Sequence, residues 1–129
     1  MNAIVSAPEN HILAAILRDV GSIPYVRLWR NNTGAAKSRR TGRLVRFGIA
    51  GQGDLSGIIS ARLPGGTIFG ARLEIEVKSA TGRQSPDQRA FQAMLERFGG
   101  CYVLARSVDD AIAGIRRYLE AIGAEGCQP

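Results

Sequence analysis

Asp54, Glu76 and Lys78 are the residues whose types and spacing best support chemistry in this chain. Asp54 follows Gly51-Gln52-Gly53, and Glu74, Glu76 and Lys78 then occupy alternate positions of one apolar segment. Residues two apart on a strand share a face, so these three project together while Ile75 and Val77 face the core. Strand pairing that brings Asp54 and Glu76 together would offer two hard oxygen ligands to a divalent ion, with the main-chain carbonyl of Val77 as another. Such an ion keeps several waters and leaves positions open for a substrate phosphate. Lys78 is one of two lysines in a chain whose 17 basic residues are otherwise arginine. It would orient and help deprotonate an attacking water, or stabilise charge on the phosphate. On spacing alone, the same residues also read as a solvated strand face with an ordinary ion pair.

Other chemistries find little support. His11 is the sole histidine and sits in an expected helix, which argues against a Ser–His–Asp triad. Cys101 and Cys127 lie far apart without zinc-ligand spacing. There is no GxxxxGK[ST] phosphate loop, and Gly51 and Gly53 are not set in a strand–turn–helix context for a dinucleotide. A net charge of +6 and a pI near 10.1 point to a polyanionic partner. Lys37, Arg39, Arg40, Arg43 and Arg46 crowd the stretch before Asp54, and arginine forks suit phosphate oxygens, so nucleic acid is the leading partner. The alternative is a solvated loop that aids solubility. No apolar run approaches the ~20 residues of a membrane span. The N-terminus carries acids and no basic region, which argues against a signal peptide, and two cysteines without one suit a reduced, cytoplasmic protein.

The elements that must position these residues are legible in outline. At 129 residues the chain has room for one domain. Ile12, Leu13, Ile16, Leu17 and Val20 share one face of a helix over residues 9–20, opened by Pro8 and stopped at Gly21. Tyr25 to Arg30 alternates as a strand, broken by Asn31-Asn32-Thr33-Gly34, and residues 44–49 form a second short strand. A short strand starts at Asp54, and Leu63 to Thr67 is a turn. Ile68 to Lys78 is the longest strand, with a kink expected at Gly70. Ser85-Pro86-Asp87-Gln88 starts a helix with Ser85 as N-cap, buries Phe91, Met94, Leu95 and Phe98, and ends at Gly99-Gly100. Cys101 to Ala105 is a strand, and Ser107 and Asp110 open a last helix. The order predicts an α/β fold with a central mixed β-sheet flanked by helices and a parallel strand–helix–strand crossover. The core is expected over residues 9–122, with 123–129 a flexible tail.

With the flanks included, GQGDLSGI, LEIEVKSATGRQSPDQRAFQAML and GGCYVLARSVDDAI together resemble the VRR-type nucleases of the PD-(D/E)xK superfamily. VRLWRNNTGAA resembles the phage-associated branch. The resemblance runs from about Arg27 to about Leu119. It implies a restriction-endonuclease-like core and Mg²⁺- or Mn²⁺-dependent hydrolysis of DNA, in the cytoplasm of a bacterial host if phage-encoded. It assigns Asp54 and Glu76 as metal ligands, Lys78 as the catalytic lysine, Gln88 as the helix-start glutamine beside the centre, and Glu9 as an added acid. The sequence departs at Gly53, where the family has proline, and at Glu74, where an apolar residue is usual.

Several residues carry two readings. Glu74 is expected at the surface, with an extra acid near the metal as the alternative. Trp29 is expected in the core, with base stacking as the alternative. Arg30, Asn31 and Asn32 would contact phosphate or bases, or build the turn; Arg83 and Arg89 would hold substrate phosphate or be solvated. Cutting both strands would favour a homodimer. No row of base-reading side chains stands out, so structure-selective recognition is expected over sequence-selective. The main rival function is a non-catalytic nucleic-acid-binding module on the same scaffold; another is a docking surface for acidic protein.

Overall fold

The computed structural model describes residues 8–32 and 34–129. The N-terminal reading over residues 1–7, and Thr33 within the expected break, lie outside the described residues. The fold is α/β: a mixed central sheet of parallel and antiparallel strands flanked by three helices. α1 (Glu9–Asp19) starts after Pro8 and packs Ile16 and Val20, fully buried, into the core. β1 (Val26–Arg30), β4 (Leu55–Arg62), β5 (Ile68–Val77) and β6 (Cys101–Ala105) form the sheet in that order. β2 (Gly34–Lys37) and β3 (Leu44–Phe47) form a separate antiparallel ribbon inserted between β1 and β4.

β4 and β5 pair over their whole shared length, from Leu55↔Ile75 to Arg62↔Ile68. The strand that begins after Asp54 is therefore long, and β5 runs through Gly70, paired with Ser60, without the expected kink. β5 and β6 pair in parallel across α2 (Pro86–Arg97), as the crossover required. Ser85 caps α2 in a full capping box, its Oγ accepting from the Gln88 amide while Gln88 Oε1 accepts from the Ser85 amide. α3 (Val108–Ile122) is capped by Ser107 and ends on Gly123 in the left-handed conformation.

The sheet has two unlike faces. Val26, Leu55, Ile59, Leu73, Ile75, Val77 and Val103 point towards α1 and α3 and make one continuous core. α2 lies on the opposite face over β6, burying Phe91 and Leu95, while Phe98 stays exposed at its C-terminal end. That second face carries Trp29, Ser56, Ile58, Arg72, Glu74 and Glu76. Trp29 is thus turned away from the core, and the expectation that it is buried is wrong: it is 43% exposed.

The C-terminal segment also differs from the expected flexible tail. Ala124 is buried, and β7 (Glu125–Gly126) pairs with Ala61 and Arg62 of β4, with the Cys127 amide donating to Ser60. β7 continues the sheet edge where β1 has ended, since β1 covers only Leu55 to Ile59 of β4. Both cysteines are free, and burial pushes the Cys101 thiol up to about 12, which keeps it protonated and inert. Among the described residues no helix is long and apolar enough to cross a membrane.

Candidate active site

The C-terminal end of β5 and the start of β4 meet where the expected chemistry lies. The Val77 amide donates to Asp54 Oδ2 at 2.7 Å, which ties the Asp54 turn across to β5. Glu76, 3% exposed, stands on the face towards α2. Its Oε1 accepts from Gln88 Nε2 at 2.8 Å and lies 3.2 Å from Lys78 Nζ. Its Oε2 is buried with no hydrogen-bond partner among the described residues. Lys78 is itself mostly buried, and its amide donates to the Ala105 carbonyl of β6. The structure therefore brings Asp54, Glu76, Lys78 and Gln88 together.

Two close approaches hold this arrangement. Gly53 is buried with the space for its Cβ only 2.9 Å from the Ile75 carbonyl and 3.0 Å from Glu74 Oε2. Gly53 is thus a contact with β5 as well as part of the turn. Gly51 has a positive φ of 77° and abuts the Asp87 carbonyl at the start of α2, which no side chain could do. A cleft of about 460 Å³ opens there between residues 46–52 and Ser85, Asp87 and Gln88.

Burial and the neighbouring Asp54 charge push the Glu76 carboxyl up from its ordinary 4.5 to about 7, against the opposing pull of Lys78. Two adjacent carboxylates, one with an unpartnered buried oxygen, are a donor set that suits a hard cation. Among the described residues no group of three or more His, Cys, Asp or Glu is arranged to hold a metal. Asp54 and Glu76, with the Val77 carbonyl, would thus hold an ion that completes its shell with water and substrate oxygens. Glu9 lies nearby: its Oε1 accepts from the Ser79 amide at 3.3 Å, and it lines a groove of about 310 Å³ with Asn10, Leu13, Asp54 and Val77.

Glu74 departs from the expected surface position. It is fully buried, paired with Arg72, and accepts from Ser56 Oγ and from Asn31 Nδ2. Asn31 also donates to the Gly53 carbonyl at 2.7 Å, its Oδ1 lies 2.6 Å from Ser56 Oγ, and its backbone amide donates to the Asp54 carbonyl. Asn31 therefore positions the Asp54 turn, with its side-chain amide engaged by these partners. Arg30 and Asn32 are exposed. Lys37, Arg39, Arg40, Arg43 and Arg46 are exposed on or around the ribbon, and Arg83 is exposed on the loop after Lys78.

Two positioning residues escaped the sequence reading. Arg106 donates to the carbonyls of Ser79 and Gly82 and so holds the turn that follows Lys78. Arg72 pins Glu74 beneath the site. The alternation Arg72-x-Glu74-x-Glu76-x-Lys78 carried a signal for the second, as four charges on one strand face have to pair when a helix covers that face. The chain matches no known family model, no curated protein and no solved structure.

Proposed function

We propose that the chain is a metal-dependent nuclease that hydrolyses DNA phosphodiester bonds, built on a restriction-endonuclease-like core and related to the VRR-type nucleases it resembles. The observation that carries the reading is the meeting of Asp54, Glu76 and Lys78 at paired strand ends, with Glu76 Oε2 buried and unpartnered among the described residues. A structural ion pair has no use for a second, crowded carboxylate, whereas a cation site has.

When bound, Mg²⁺ or Mn²⁺ supplies Lewis acidity at the phosphoryl oxygen and charge neutralisation at the leaving oxygen. Asp54, Glu76 and the Val77 carbonyl would hold it. Gln88 fixes the Glu76 carboxylate by donating to Oε1, while Oε2, without a hydrogen-bond partner among the described residues, would serve as the ligand oxygen. Lys78 places a cationic donor 3.2 Å from that carboxylate, where it orients the attacking water and stabilises charge on the phosphate. The basic residues Lys37, Arg39, Arg40, Arg43 and Arg46, with Arg30 and Arg83, hold the phosphate backbone. Recognition is of DNA structure, in the cytoplasm, and a homodimer serves cutting of both strands.

The test is binding and cutting by Asp54→Asn. It is expected to bind labelled DNA as wild type does and to lose Mg²⁺-dependent cleavage. Undiminished cleavage by this variant would overturn the assignment.

A further inference from the structure

The face of the sheet that α2 occupies is only half covered. α2 packs over β6, Gln88 reaches Glu76 of β5 and Gln52 reaches Ser56 of β4, while Trp29 of β1 and Ile58 of β4 stay exposed. Three residues there are unusually placed. Trp29, on the edge strand, is 43% exposed, and Ile58 is 45% exposed. Arg72 stands across from Ile58 on β5, its side chain 43% exposed. Its guanidinium is drawn towards the active-site end by Glu74 and donates to Ser56 Oγ at 3.2 Å. Ser56 is the direct cross-strand partner of both Trp29 and Glu74, so Trp29 and Arg72 flank it from opposite sides. Among the described residues only Nη2 of Arg72 is engaged, which leaves the rest of its fork for an anion.

An exposed apolar ring on the same sheet face as a fixed guanidinium two strands away matches one chemistry closely: a base lying on the indole with its phosphate on the arginine. The base must be unpaired, because within a duplex both faces of a base are covered by its stacked neighbours. Arg27, the cross-strand partner of Ile58, extends the positive charge along the open face. Charge disfavours a second copy of this chain as the occupant, since each copy carries +6 and the patch is rimmed by arginine.

The position relative to the candidate site follows from sheet geometry. Trp29 lies two strand spacings from β5, and Glu76 lies two residues further along β5 than Glu74. Those steps amount to about 12 Å between Trp29 and Glu76 across the same face. We infer that Trp29 and Arg72 form a stacking subsite for an unpaired DNA nucleotide close to the scissile phosphate. The inference rests on the nuclease reading for the word scissile, and on the exposed Trp29–Arg72 pair for the rest. The substrate class is then DNA with a single-stranded segment at the site.

Trp29 is the only tryptophan, so its own emission reports the contact. In EDTA, a short oligothymidine is expected to quench it saturably, while a blunt duplex of equal length leaves it little changed. Oligothymidine affinity, followed by anisotropy of a labelled strand, is expected to fall by roughly 5- to 100-fold in Trp29→Ala and to be largely kept in Trp29→Phe. The Phe variant separates lost stacking from lost folding. Binding of the labelled strand without quenching, or equal quenching by the duplex, would overturn the subsite. Quenching that grows with protein concentration alone, with a doubled mass, would assign the patch to a second copy and overturn it too. Cleavage assays on the same samples separate the two readings. Cutting in Mg²⁺ without quenching removes the subsite alone. Quenching without cutting in Mg²⁺ or Mn²⁺ removes its placement beside a scissile bond.

Discussion

Glu76 concentrates opposing demands in one side chain. It is buried, it faces Asp54, and only Lys78 and Gln88 offset its charge. Its folded-state pKa of about 7 lies above the ordinary 4.5, so the folded state holds this proton more tightly than the unfolded chain does. The stability it contributes is therefore fully present below about 4.5 and is lost as pH rises through about 7. In metal-free protein, Tm of wild type minus that of Glu76→Gln is expected to fall across that window. Thermal melts in EDTA from pH 4 to 8 check this, and a flat difference would sink it. Added Mn²⁺ is expected to raise Tm at pH 8 in wild type and leave Glu76→Gln unmoved. Glu74 plays a different part on the same strand. Removing it in Glu74→Ala takes from Arg72 its carboxylate partner and from Asn31 and Ser56 one of their acceptors. Because Arg72 is partly hydrated, the expected cost is about 1–3 kcal/mol in urea unfolding, with little change in m.

At the scale of elements, β4 and β5 do the positioning, and the turn before β4 sets where Asp54 lies. Gly53→Ala would drive its new Cβ against the Ile75 carbonyl and Glu74. It is expected to cost about 1–3 kcal/mol and to weaken Mn²⁺ binding through a displaced Asp54, read together by unfolding and titration. Deleting residues 124–129 removes the β7 pairing and a buried Ala124, and is expected to lower stability by about 1–2 kcal/mol. An unchanged midpoint would mean that the tail contributes nothing. These elements were unequally legible in the sequence. The Ser85 N-cap and the apolar stripe of α1 are local signals, and they were readable. β7 is two residues long and β2 is Gly-Ala-Ala-Lys, so neither shows alternation, and each exists only because a partner strand is present. Glu74 and Trp29 were misplaced for a related reason. Alternation says which residues share a face, but not that Arg72, Ser56 and Asn31 would close over Glu74 while Trp29 stays exposed.

The whole molecule divides into a packed body and a basic ribbon. In the ribbon, Arg46 and Lys37 project on one side with Leu44, while Val45 and Phe47 share the other with Ala36. Arg39, Arg40 and Arg43 sit around its tip, between β2 and β3. Replacing those three by alanine is expected to weaken DNA binding and to reduce the slope of log K against log[salt] by about 2–3. An unchanged slope would return the ribbon to a role in solubility. The proposal as a whole stands on Asp54, Glu76 and Lys78 acting together on DNA. Cleavage of a labelled panel of single-stranded, duplex, flapped and four-way DNA by wild type and Lys78→Ala, in Mg²⁺, Mn²⁺ or EDTA, addresses it most directly. Wild type is expected to cut in metal and not in EDTA, with Lys78→Ala slower by about 100-fold or more while it still binds DNA. A wild type that cuts none of these structures in either metal, or a Lys78→Ala that cuts as fast, would contradict the nuclease assignment.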